Sequence, residues 1–172
     1  MTAAISHHSH TRSPWHAAPP TVQIGALILV WLCLALTGCS FLPVSHPPVN
    51  TARTQVVNTA YRMLGTPYRY GGSTPDGFDC SGLVLFSYQQ AGLEVPRTAF
   101  DQYLRSTPVT DNRIEPGDVL FFTLRSHAIS HVGIYVGDGK FIHAPALGRC
   151  VTESRLDEPF WRNHLVRAGR LF

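Results

Sequence analysis

Lysine is almost missing from this chain of 172 residues. Of 14 basic side chains only Lys140 is lysine and the others are arginine, a compositional bias with no functional signal. Runs of basic residues are absent and the net charge is a mild +3, which argues against a nucleic-acid-gripping surface. Charged residues make up 15% and hydrophobic ones 44%, with 13 Pro and 14 Gly. That balance excludes a disordered chain and describes a loop-rich globular one. No internal repeat or low-complexity tract is present. Cysteine is scarce: Cys33, Cys39, Cys80 and Cys150. An even count would allow two disulfides, but the N-terminus argues otherwise.

A single long apolar run occurs, residues 22 to 37 (VQIGALILVWLCLALT). It is short for a membrane span, which needs about 20 residues, and it ends in small residues before Cys39. That is the pattern of a signal-peptide core with its cleavage site. Leu36-Thr37-Gly38-Cys39 resembles a bacterial lipobox. The resemblance implies that residues 1 to 38 are removed and that Cys39 becomes the lipidated first residue. Ser40, rather than Asp, follows it, which by the same resemblance implies sorting to the outer membrane, facing the periplasm. The histidines of HHSH at 7 to 10 would leave with the signal, so they are not read as a metal site. Cys33 leaves with them. Cys80 and Cys150 would then sit in an oxidising compartment, where they could pair or Cys80 could stay free for chemistry.

Residues 39 to 50 carry three prolines in SFLPVSHPPVN and read as a short extended tether. The folded domain is expected over 51 to 172. Residues 51 to 64 show a helical apolar pattern stopped by Gly65. TPYRYGGSTPDGFD is a loop of turn residues. Asp79 is placed to cap a helix, CSGLVLFSYQQ, that ends at Gly92. A short helix follows near 98 to 105. Strands are expected near 118 to 123, in HVGIYVG, in KFIHA and in LVRAGRLF. Helices first and an antiparallel sheet afterwards give the α+β class.

Cys80 falls at a helix start, where the dipole favours a thiolate, and a nearby imidazolium would favour it further. His131 and His143 lie on adjacent strands and could supply it. In HVGIYVG, Val132, Ile134 and Val136 alternate with His131, Gly133 and Tyr135. A two-residue Asp138-Gly139 turn would place His143 opposite Ile134, on the core face and away from His131. A three-residue loop, with Gly139 in a bulge, pairs Ile134 with Ile142 and puts both histidines on one face. The second register satisfies the burial of Ile142 as well as the chemistry, and it is the one expected. Cys80 would attack, His131 would move the proton, and His143 would orient His131.

TPYRYGGSTPDGFDCSGLV, VPRTAFDQ, PGDVLFF and HVGIYVGDGKFIHA, in this order, resemble the NlpC-type cell-wall cysteine peptidases, and most of all the small Spr-like lipid-anchored murein endopeptidases of Gram-negative envelopes. The resemblance runs from about residue 51 to the C-terminus. It implies a compact papain-like fold and hydrolysis of peptidoglycan stem peptides next to a diamino acid such as meso-diaminopimelate. It assigns catalysis to Cys80, His131 and His143, and carries Tyr68 to the oxyanion side of the site, with the Cys80 N–H as a second donor. Asp79, Ser81, Arg69 and Arg97 are the candidate substrate contacts. No cofactor is implied, and the protein is expected to act as a monomer.

Three other readings compete. A zinc site from His127, His131 and His143 needs convergence. If 127–131 is extended, those two histidines lie about 13 Å apart. A lipoprotein that only binds wall peptides would have no use for the intact Cys-His-His set. An amidase or acyltransferase on the same scaffold is separated less well by sequence.

Overall fold

The structure, a computed structural model, describes residues 48–124, 128–146 and 148–172. The expected signal segment, Cys39 and most of the tether lie outside the described residues, as does His127. Among the described residues no helix is long and apolar enough to cross a membrane.

Ala52, Val56, Thr59 and Ala60 recur at helical spacing, and all are buried along one side of helix α1 (Val49–Arg62). The helix begins two residues before the expected start. Pro48 stands at the N-cap position, and its carbonyl accepts the N–H groups of Thr51 and Ala52. A two-stranded hairpin, β1 (Ser73–Thr74) and β2 (Gly77–Phe78), leads into helix α2 (Cys80–Gln90). Asp79 caps that helix as expected: its Oδ1 accepts from the Gly82 N–H at 2.7 Å. Gly92, at φ +74°, closes the other end while Leu93 N–H donates to the Tyr88 carbonyl. Helix α3 (Ala99–Arg105) is capped by Thr98.

The remaining strands are β3 (Thr107–Val109), β4 (Val119–Phe122), β5 (His131–Gly137), β6 (Lys140–His143), β7 (Thr152–Arg155) and β8 (Leu165–Arg170). They form one antiparallel sheet in the order β3-β8-β4-β5-β6-β7. Helix α4 (Pro159–His164) sits between β7 and β8 in the chain. All four residues of β4, VLFF, are buried, because both faces of the sheet are covered. Val119, Phe121, Val132, Ile134 and Ile142 pack with Val56, Leu83 and Tyr88 of α1 and α2. On the reverse face Leu120, Phe122, Phe141 and Ala168 pack beneath Trp161 of α4. The α+β expectation holds, with helices on an antiparallel sheet.

The β5–β6 hairpin corrects the expected loop. Its turn is the two-residue Asp138-Gly139, with φ of 50° and 71°, and Gly137 pairs with Lys140. Ile134 nevertheless pairs with Ile142, as the burial argument required, because the extra residue is Val136, bulged out between Tyr135 and Gly137. The bulge lies within the strand and not in the turn.

A buried charge ties the ends of the domain together. Asp118 is fully buried ahead of β4. It accepts from Arg53 of α1 at 3.1 Å, from Arg170 of β8 at 2.9 Å through two nitrogens, and from the Glu115 N–H at 3.0 Å.

Candidate active site

The loop before α2 must pass very close to the helix start. A Cβ on Gly82 would collide with the Gly72 carbonyl, so glycine is required there. Asp79 fixes the junction: besides Gly82, it accepts from the Gly71 N–H at 3.0 Å and the Ser81 hydroxyl at 3.2 Å. Arg97 clamps the same carboxylate with two nitrogens, at 3.0 and 2.6 Å, and donates to Ser81 Oγ at 3.0 Å. Asp79, Ser81 and Arg97 thus form one brace under the first turn. Arg69 is exposed on the preceding loop.

Cys80 is the first residue of α2, and its side chain enters a cleft of about 350 Å³. Tyr68, His131, Ser130 and Leu124 line the same cleft, with Tyr70 on its rim at 88% exposure. Burial pushes the Cys80 thiol up to about 11, and the Asp79 charge adds to this, while backbone hydrogen bonds from Val132, Ser81 and Cys80 itself pull the other way. The Val132 contact sets the sulfur beside the residue that follows His131.

His131 and His143 are 3% and 1% exposed. Their rings meet edge to face, with His131 Nε2 2.9 Å from His143 Nδ1. Gly133 makes the approach possible: a Cβ there would lie 2.6 Å from Phe141 Cδ2 and 3.3 Å from His143 Cβ. Burial lowers His131 to about 4. Burial, then the charges of His131 and Arg149, lowers His143 to about 3. At neutral pH the site therefore holds a neutral thiol beside a neutral imidazole. Desolvation opposes charge on both groups, against the pull of the helix start on the sulfur.

Two neighbours were not anticipated from the sequence. Trp161 of α4 stacks on His131 at 5.7 Å and 27°, and meets His143 edge on at 4.7 Å, roofing the pair. Ser154 of β7 lies 3.1 Å from His143 Nε2. Their segments, PFWRNH and TESR, carry no motif or periodicity that marks them. Cys80 and Cys150 are both free thiols, and Cys150 is exposed. Among the described residues no three His, Cys, Asp or Glu side chains gather as a metal-ligand set.

A cysteine at a helix start, sharing a cleft with one histidine of a buried histidine pair, can do nucleophilic chemistry with an internal base. The chain is similar to known proteins. A probable endopeptidase of Escherichia coli strain K12, YafL, is 46% identical over 115 residues, covering 64% of this chain and 46% of its own. The murein DD-endopeptidase MepH of the same organism is 40% identical over 128 residues, covering 72% and 47%. The chain spans about half the length of these two curated relatives. Among solved structures, an NlpC/P60 family protein of Bacillus cereus superposes with a TM-score of 0.68 at 30% identity, over 74% of this chain and 41% of that one. The NlpC/p60 domain of the peptidoglycan hydrolase SagA gives 0.61 at 31% identity, over 69% of this chain and 97% of that one. The NlpC/P60 family model itself matches residues 65–170, a stretch that begins just after α1 and takes in Cys80, both histidines and the whole sheet, and the chain belongs to that family.

Proposed function

We propose that this protein is a cysteine endopeptidase that hydrolyses peptide bonds of peptidoglycan stem peptides. The observation that carries the reading is the shared cleft of Cys80 and His131, with His131 Nε2 occupied by His143. His131 Nδ1 is then the nitrogen left to face the thiol. The resting pair is neutral, so the proton leaves Cys80 for His131 Nδ1 as the sulfur attacks the scissile carbonyl. The Tyr68 hydroxyl and the Cys80 N–H stabilise the oxyanion. His131 returns its proton to the leaving amine, and water, deprotonated by His131, then hydrolyses the thioester and frees Cys80. Trp161, flat against His131, stabilises the transient imidazolium and keeps water from it. The proposed contacts with substrate amines and carboxylates are Arg69 and the outer face of the Asp79–Arg97–Ser81 brace.

The relatives' names include both DD- and DL-endopeptidases; the bond proposed here is one next to meso-diaminopimelate. Purified peptidoglycan digested with the full chain, its fragments identified by mass spectrometry, tests this. Fragments with a new amine or carboxyl terminus at the diamino acid are expected; intact peptides with cut glycan, or no fragments, would overturn it.

The setting is part of the same proposal. Cys39 carries lipid and holds the domain on the periplasmic side of the outer membrane, supported by the LTGCS sequence at 36 to 40. Cys39→Ala should leave the precursor uncleaved at this site and without lipid; normal processing and lipid labelling of that variant would remove the anchor from the account.

A further inference from the structure

Both ring nitrogens of His143 are engaged. Nδ1 lies 2.9 Å from His131 Nε2, and Nε2 lies 3.1 Å from Ser154 Oγ. On β7, Thr152 pairs with His143 and Ser154 pairs with Phe141, so strand alternation sets Ser154 on the face that carries the His143 ring. Ser154 is half-buried. It also lines a groove of about 490 Å³ with Pro145, Arg149, Cys150 and Thr152, on the side of His143 away from His131.

A neutral imidazole carries one proton, and the partner of each nitrogen decides where it sits. Two self-consistent arrangements exist for these three groups. In the first, Ser154 Oγ accepts from His143 Nε2–H, His143 Nδ1 accepts from His131 Nε2–H, and His131 Nδ1 is unprotonated. In the second every donor and acceptor is exchanged, and His131 carries its proton on Nδ1. Only the first leaves His131 able to take a proton from Cys80. The groove favours it. A serine hydroxyl donates once and accepts twice, and solvent in the groove gives its hydrogen somewhere to point while a lone pair faces His143. Burial first, and then the charges of His131 and Arg149, keep His143 from holding a second proton.

We propose that Ser154 is a positioning residue of the catalytic set: its Oγ holds His143 as the Nε2–H tautomer, and through that ring keeps His131 Nδ1 open to the proton of Cys80. The set becomes Cys80, His131, His143 and Ser154, one member longer than the expected triad. The inference rests on the endopeptidase reading for its effect on rate, and on geometry alone for the tautomer.

The test uses the full chain with 15N-labelled histidine, at about pH 8, where both rings are neutral. Long-range proton–nitrogen spectra, taken without substrate, report which nitrogen of each ring is protonated. The wild type should show Nε2–H on His143 and on His131. Ser154→Ala should turn His143 into a tautomer mixture. Ser154→Thr should keep the single form, and Ser154→Val, matched to threonine in shape but without the hydroxyl, should lose it. On purified peptidoglycan, kcat should fall about fivefold in the Ala and Val variants, the size of one neutral hydrogen bond, with KM unchanged and the Thr variant near wild type. A wild-type spectrum with Nδ1–H on His143, or Ala and Val variants with unaltered tautomer and kcat, would overturn the proposal. Failure of the wild type to release any new amine would defeat the endopeptidase reading instead, and the spectra would still decide what Ser154 does.

Discussion

Cys80 illustrates how two local effects compete at one atom. The helix start draws the sulfur toward the thiolate, and its surroundings, desolvated and next to Asp79, push it toward the thiol. Desolvation wins, and His131 is shifted in the opposite sense for the same reason. Attack and proton transfer are therefore coupled in this account, rather than starting from a preformed ion pair. Alkylation of Cys80 by iodoacetamide should accordingly keep accelerating as pH rises past neutrality. A rate already on its plateau below pH 7 would mean that the ion pair exists at rest. EDTA should leave turnover unchanged, since no step uses a metal.

Elements carry the site by different means. The start of α2 is fixed locally by Asp79 and Gly82, and the histidine pair by the register of β5 and β6. Asp118 ties α1 to strand β8 of the sheet behind them. Replacing Asp118 by Asn leaves the Arg53 guanidinium, which is nearly buried, facing an uncharged partner. The loss should be about 3 kcal/mol, at the lower end for a broken buried pair, because Glu115 still reaches Arg53 at 2.9 Å. Chemical denaturation should show that loss while kcat of the folded fraction is unchanged; a neutral result would mean that the apolar layers alone secure the helix. How much of this was legible follows the same division. The cap at Asp79, the glycine stop at Gly92 and the pairing of Ile134 with Ile142 are local or pattern-borne, and sequence reasoning reached them. The Val136 bulge was not reached, since an Asp-Gly turn and a three-residue loop satisfy the same burial pattern if a bulge can be placed anywhere along the strand. Trp161 and Ser154 come from segments distant in the chain, and only tertiary packing brings them to the histidines.

At the scale of the whole molecule, acid should act through the two buried histidines. Their folded values, about 4 and about 3, lie below the ordinary 6.5. Between pH 6.5 and those values the unfolded chain binds protons that the folded chain refuses, so stability is intact above about pH 6.5 and falls as pH drops. The melting temperature should decline from pH 6.5 to 5 in the wild type and decline less when both histidines are replaced by Asn. An equal slope in the two proteins would show that the histidines are not buried as neutral rings. The cleft of Cys80 and His131 reaches the surface, with the exposed Tyr70 at its rim.

The central claim is that Cys80 and His131 act as one unit on peptidoglycan, and the rate of new amine release from purified peptidoglycan tests it most directly. Cys80→Ala and His131→Ala should each abolish release while the folded state persists, and the double variant should be no worse than either single one, because each removes the same function. Release by Cys80→Ala at the wild-type rate would contradict the account.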